Sequence, residues 1–163
     1  MTVIEKVQPI ASLIKTAIEK HGATKDAIIP ILSDINKFYG YIPAEAFDEL
    51  RIQLSEHQVL LSESQLFSIA SFYHMLSTRP RGRHVVRFCE SAPCHVMGGR
   101  ELFQALQEEL GLKPGETSLD KKWSLITTSC LGVCGVGPVI LVDDDIYGNV
   151  KPEQLREIFS MYE

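Results

Sequence analysis

All four cysteines of this 163-residue chain lie between Cys89 and Cys134, in two close pairs. Four residues separate Cys89 from Cys94 (CESAPC), and three separate Cys130 from Cys134 (CLGVC). A fold that uses them together must bring two short loops to one place, and three chemistries fit that demand. Two disulfides satisfy the count, but a reducing cytosol keeps thiols free and nothing in the sequence points to export. Four thiolates around one structural zinc also fit, although zinc pairs usually have two intervening residues on a tight turn. Iron-sulfur sites use wider spacings, including four residues between ligands.

The flanking residues tilt the balance towards iron and sulfide. Gly132, Gly135, Gly137 and Pro138 surround the second pair, so the backbone can turn several N–H groups towards sulfur. Gly98 and Gly99 precede an amphipathic helix expected over Arg100 to Leu110, whose amino end should lie near Cys94. A four-thiolate 2Fe-2S cluster is anionic and becomes more so on reduction, so such donors would help set its reduction potential. Zinc would need no such tuning.

Composition narrows the partners. Apolar residues make up 45% and charged residues 23%, the balance of a chain with a buried core. The net charge of −5 argues against nucleic acid, because affinity for phosphate backbones rests on clustered Lys and Arg. The longest aliphatic run is the four residues Val139 to Val142, against the roughly 20 that cross a bilayer, so no membrane insertion is expected. Glu5, Lys6, Gln8 and Pro9 interrupt the stretch where a secretory signal would need apolar residues, and a cytoplasmic location is expected.

The first half reads as helices. Val7, Ile10, Leu13, Ile14, Ala17 and Ile18 follow the helical period up to Gly22, and Ile28, Ile31, Leu32, Ile35 and Phe38 repeat it, with Pro30 at a first turn or kink. Pro43 opens a third segment with Phe47, Leu50 and Leu54 on one side. Ser62 and Gln65 form a capping-box signature for a fourth, carrying Leu66, Ile69, Ala70 and Tyr73. Together these predict a small antiparallel bundle over residues 1–80. After the break at Ser77 to Gly82, strands are expected at His84 to Phe88, Trp123 to Thr128 and Pro138 to Val142, with helices at Arg100 to Leu110 and Pro152 to Tyr162. The order β, α, β, β, α predicts a compact α/β domain over 81–163, so the chain as a whole is α+β. Cys89 and Cys130 each follow a strand. If those strands are parallel, both pairs reach the same edge of the sheet.

Several other features carry less. The glycines near Cys134 lack the GxGxxG spacing, and no helix is expected after them, which excludes a dinucleotide loop. His21, His57, His74, His84 and His95 are scattered, and no serine sits in a nucleophile elbow, so no catalytic residue is assigned. His95 reads as a loop histidine and Asp143 to Asp145 as a β-turn. Arg81, Arg83 and Arg87, preceded by Arg79, read as a solvated edge. Phe72 and Met75 fall off the stripe of the fourth helix and are candidates for a contact with another chain.

Three stretches, FYGYIPAEAFDEL (Phe38 to Leu50), SFYHMLSTRPRGRHVVRFCESAPCHVMGG (Ser71 to Gly99) and SCLGVCGVGPVILVDDDIYGNVKPEQL (Ser129 to Leu155), resemble a known family. It is the thioredoxin-like 2Fe-2S subunit of NADH dehydrogenases, the 24 kDa type of respiratory complex I. The same family includes the equivalent subunits of NAD(P)-linked formate dehydrogenases and electron-bifurcating iron-iron hydrogenases. The resemblance implies an N-terminal helical bundle (1–80) followed by a thioredoxin-like 2Fe-2S ferredoxin domain (81–163), with Cys89, Cys94, Cys130 and Cys134 as the ligands of one cluster. It implies a partner subunit that binds FMN and NAD(P), further iron-sulfur subunits, and exchange of single electrons with the flavin. The DDDIYG run (Asp143 to Gly148) is closer to the hydrogenase and formate dehydrogenase members. Two positions depart from the family's habit: Ser129 stands where an acidic residue is frequent, and Gly137 precedes Pro138 where alanine is frequent. The alternatives are a free-standing ferredoxin and a zinc-stabilised scaffold subunit without redox activity.

Overall fold

The computed structural model describes residues 9–162, and Val7 of the first apolar stripe lies outside them. The chain divides into two compact units, Met1–Pro80 and Arg81–Glu163. In the first unit, α1 (Ile10–His21), α2 (Ile28–Tyr39), α3 (Ala44–Glu56) and α4 (Glu63–Phe72) follow one another. Their boundaries have local causes. Gly22 (φ 88) and Gly40 (φ 80) end α1 and α2 in the positive-φ region, and the N–H of Gly40 returns to the Asn36 carbonyl at 2.8 Å. Pro30 occupies the third position of α2, where a missing N–H costs no helical bond. Ser62 and Gln65 form the expected reciprocal capping box, with Gln65 N–H donating to Ser62 Oγ at 3.2 Å.

Ile14, Ile28, Ile31, Leu32, Ile35, Leu50, Leu54 and Leu66, all fully buried, form the core these helices share. The tail after α4 is tied down as well. Ser77 N–H donates to Asn36 Oδ1 at 2.9 Å, and the Ser77 carbonyl accepts from Ile42 N–H at 2.7 Å.

The second unit holds a four-stranded sheet in the order β2-β1-β3-β4: β1 (His84–Cys89), β2 (Trp123–Thr128), β3 (Ile140–Val142) and β4 (Asp145–Tyr147). β1 runs parallel to β2 and antiparallel to β3, and β3 is antiparallel to β4. Val86, Phe88, Leu125, Ile140 and Val142 project from the sheet into one core with Leu102 and Leu106 of α6 (Arg100–Leu110) and Leu155, Ile158 and Phe159 of α7 (Leu155–Ser160). The fold class is α+β, as the pattern predicts.

Three details differ from the pattern. β3 begins at Ile140 and not at Pro138, since proline has no N–H for a ladder. A fourth strand follows a two-residue turn at Asp143 and Asp144, so Asp145 is in β4 and not in the turn. Asp143 takes φ 54 there, and its carboxylate accepts from Val85 N–H at 2.8 Å. The first-strand arginines do not share one solvated edge: Arg83 is exposed, whereas Arg81 and Arg87 are half-buried and Arg87 donates to the Asp143 carbonyl at 2.7 Å.

Candidate metal centre

The parallel pairing places Cys89 opposite Thr128, so the chain leaves β1 and β2 at the same edge of the sheet. Cys130 follows two residues after Thr128. Glu90 N–H donates to the Thr128 carbonyl at 3.1 Å and holds the two exits side by side. After Cys89 the chain turns at Ser91 into α5 (Ala92–Cys94), a single turn that ends on Cys94. A kinked segment, His95–Gly99, then leads into α6, and Gly98 takes φ 100 in it. Gly99 packs against the Cys94 carbonyl, where a β-carbon would lie 2.6 Å from the oxygen. From the other side comes Val139, fully buried, whose carbonyl accepts from Cys89 N–H at 3.4 Å. Cys89, Cys94 and Val139 form a small apolar cluster flanked by Leu131 and Val133.

The structure therefore brings together the cysteines that the sequence singles out. All four thiols are free; Cys89 and Cys94 are buried, Cys134 is half-buried and Cys130 is exposed. The Cys130 and Cys134 sulfurs are 3.5 Å apart. Two sulfurs sharing one tetrahedral metal at ~2.3 Å would be ~3.8 Å apart, so this pair is already near the separation that joint ligation requires. Cys89 and Cys94 interact electrostatically with one another, and Cys89 does so with Cys130 and Cys134. Two cysteine pairs, one per metal, are the arrangement that a two-iron core needs, and the second pair has that spacing. Among the described residues, no group of three or more His, Cys, Asp or Glu side chains is disposed around a single metal ion.

Within each pair one thiol favours the charged form and the other resists it. Burial pushes the Cys89 thiol up, but N–H groups of Leu131 and Ser91, the Cys94 thiol and the Ser91 hydroxyl together hold it below its ordinary value. Cys94 is raised by burial and by its hydrogen bond to Cys89, against a donor from Val139 N–H. Cys130 is lowered by Gly132 N–H, which sits 3.3 Å from its sulfur, and by the Cys134 thiol and Ser91 hydroxyl. Cys134 is raised by its hydrogen bond to Cys130 and by burial. Donors converging on thiolate sulfur are what an anionic cluster requires, so the residues present fit a 2Fe-2S group.

Most of those donors are backbone groups that residue identity does not disclose. Gly132 is legible as a glycine and takes φ 83, whereas Leu131 and Val139 carry no signal of the role. Ser91 carries none either, since a serine before a helical turn reads as an ordinary cap. The expected contribution of α6 is indirect: Gly99 at its start meets the Cys94 carbonyl, and the donors to sulfur come from the loops. His95 is exposed, with Nε2 3.5 Å from Arg100 Nη2. Around the loops Val96, Met97 and Val136 expose apolar side chains. Beside them a cleft of about 440 Å³ is lined by Met97, Glu101, Gly137, Pro138 and Lys151, among others.

A sheet edge that brings cysteine pairs under loop N–H groups suits an anionic, thiolate-held group. The comparisons agree. The family model for thioredoxin-like 2Fe-2S ferredoxin matches residues 14–163, and the chain belongs to that family. It is 35% identical over 153 residues to an NADH-quinone oxidoreductase subunit of Aquifex aeolicus (strain VF5), covering 91% of this chain and 92% of the relative. It is 33% identical over 136 residues to the corresponding NADH-quinone oxidoreductase subunit of Escherichia coli (strain K12), covering 83% and 79%. Among solved structures, the NAD+-reducing NiFe hydrogenase in its air-oxidized state superposes with a TM-score of 0.66 at 20% identity, a likeness of fold, covering 80% of this chain and 22% of the hydrogenase chain. No helix among the described residues is long and apolar enough to cross a membrane.

Proposed function

We propose that Cys89, Cys94, Cys130 and Cys134 hold one 2Fe-2S cluster and that the chain is the electron-transfer subunit of an NAD(P)-linked oxidoreductase complex. One observation carries this reading: two thiol pairs meet at one sheet edge, with loop N–H groups aimed at their sulfurs. When bound, the cluster supplies a site that takes up and releases one electron at a time. The chain's own residues do the rest. The four cysteines fix the group, the Leu131, Gly132 and Val139 N–H groups stabilise negative charge on sulfur, and the burial of Cys89 and Cys94 keeps water from one side.

The partner is a subunit that binds FMN and NAD(H), with further iron-sulfur subunits in a cytoplasmic assembly. The names of the relatives support an NADH-linked complex. The exposed Val96, Met97 and Val136 beside the cysteine loops offer a dry contact through which a partner could approach the cluster. Within this class the DDDIYG run favours a hydrogenase or formate dehydrogenase, bifurcating in the first case, over a respiratory complex.

Anaerobically purified protein should be reddish-brown, carry about two irons per chain and give a one-electron paramagnetic signal after dithionite. Replacing each cysteine by alanine in turn should abolish or severely reduce bound iron. A colourless protein with stoichiometric zinc, or four variants that all keep their iron, would overturn the assignment. Purification from the native host should bring down a flavin-binding chain in equal amount; its absence would leave a free-standing ferredoxin.

A further inference from the structure

Cys94 is 1% exposed, and the groups that enclose it come from several parts of the chain. Cys89 and Val139 pack with it, and Gly99 lies against its carbonyl. Near its sulfur stands Gly137, which has no side chain to contribute: a β-carbon there would be 3.4 Å from Cys94 Sγ. The same point is 3.2 Å from Met97 Sδ. The Met97 thioether therefore occupies the room that Gly137 leaves open, next to the Cys94 sulfur. The backbone departs from helical geometry at this place, with φ −87 and ψ 20 at Met97 and φ 100 at Gly98. Met97 is itself 47% exposed, and with Gly137 it lines the cleft of about 440 Å³ beside the cysteine loops. On the cleft side, one flexible apolar side chain thus stands between a buried cysteine sulfur and water.

We propose that Met97 is the apolar cover of Cys94 and that, by denying water to this sulfur, it holds the reduction potential of the cluster down. The inference rests on the four-cysteine cluster proposed above. Reduction adds one negative charge to a centre that is already anionic. Water beside a ligand sulfur would stabilise that charge by hydrogen bonding, whereas a thioether has no proton to donate and keeps the surroundings apolar. Met97 therefore favours the oxidised centre, and opening the cleft to Cys94 raises the potential. The effect lies in the volume and apolarity of the side chain and not in its sulfur, so leucine, of similar size, serves equally.

The test is a potentiometric titration of full-length, anaerobically purified protein followed by electron paramagnetic resonance, with iron and sulfide analysis of each sample. Wild type is compared with Met97→Ala, Met97→Gln and Met97→Leu. At the wild-type midpoint, the ratio of reduced to oxidised centre is expected to rise about tenfold in the Ala and Gln variants, a shift of ~59 mV for one electron. Leu should stay within about twofold of wild type. Iron content should be full in all three, and echo-modulation spectra in D2O should show more exchangeable deuterium near the centre in Ala than in wild type or Leu. Adding Gly137→Ala to Met97→Ala returns an apolar atom to the point 3.4 Å from Cys94 Sγ and should bring the midpoint part of the way back. Fully loaded Ala and Gln variants with an unchanged or lowered midpoint would overturn the proposal, as would a Leu variant shifted as far as Ala or a double variant without recovery. If Ala and Gln lose iron while Leu keeps it, Met97 serves assembly and the proposal also fails. Wild type without a two-iron signal would instead refute the cluster itself, a result separate from any variant.

Discussion

Cys89 and Cys130 reach the same favoured charged state by different routes. Cys89 is buried and depends on several donors to overcome that burial, whereas Cys130 is exposed and needs only its neighbours Gly132, Cys134 and Ser91. The same contest between a carboxylate's partners and its burial plays out at Asp34, far from the cysteines in sequence. Lys20 Nζ and His21 Nε2 each lie 2.8 Å from Asp34 Oδ2. The hydrogen bond from Lys20, aided by His21, outweighs partial burial and holds the Asp34 carboxyl below its ordinary value. A carboxylate depressed in the folded state stabilises the protein above the unfolded pKa, about 3.9, and that contribution is lost as pH falls through the lower folded value. Asp34→Asn is expected to cost up to about 1 kcal/mol at neutral pH, the partners being partly exposed. Urea melts from pH 7 to 2.5 should show the gap between variant and wild type closing below about pH 4; a gap of constant size would refute the account.

At the scale of an element, two glycines near the centre make opposite predictions. A β-carbon on Gly99 would sit 2.6 Å from the Cys94 carbonyl oxygen, a backbone atom that cannot swing aside. Gly135 lies in the loop after the fourth cysteine with open space around it and without a positive φ. Gly99→Ala should therefore displace α5 from α6 and lower iron occupancy, while Gly135→Ala should leave occupancy and melting temperature near wild type. Equal iron content in the two variants would contradict the packing described for the Cys94 turn. The cap of α4 gives a simpler case. Ser62→Ala removes the acceptor for Gln65 N–H and should cost about 1 kcal/mol in a denaturant melt. β4 depends on partners remote in the chain: Tyr162 O–H donates to Asp145 Oδ2 at 2.7 Å, and its oxygen lies 2.7 Å from that of Tyr147. Burial, followed by these two neighbours, raises the Tyr162 phenol above its ordinary value.

For the whole molecule, the division at Pro80 and Arg81 separates the helical core from the sheet that bears the cysteines. We propose that residues 81–163 act as a self-sufficient cluster domain. Limited proteolysis within Ser77 to Gly82 should leave a C-terminal fragment that retains the visible colour; bleaching in step with the cut would show that the helices are needed to hold iron. The helices themselves are readable because their apolar residues recur at the helical period and their ends carry Gly22, Pro43 and Ser62, all local signals. The cysteine pairs are readable because their spacing is local too. By contrast, the link from Asn36 to Ser77 spans 41 positions, and the bond from Glu90 N–H to the Thr128 carbonyl crosses from one strand exit to the next. Neither leaves a mark on nearby residues.

The linear order of residues was enough to dictate which faces are apolar, where helices stop, and that four sulfurs sit in two tight pairs. Whether those pairs meet depended on the parallel pairing of β1 with β2 and on the return of Val139 beneath Cys94. Periodicity records that a face is buried but not what it is buried against. Donors to sulfur are backbone N–H groups of ordinary residues, and only the folded path of the chain aims them.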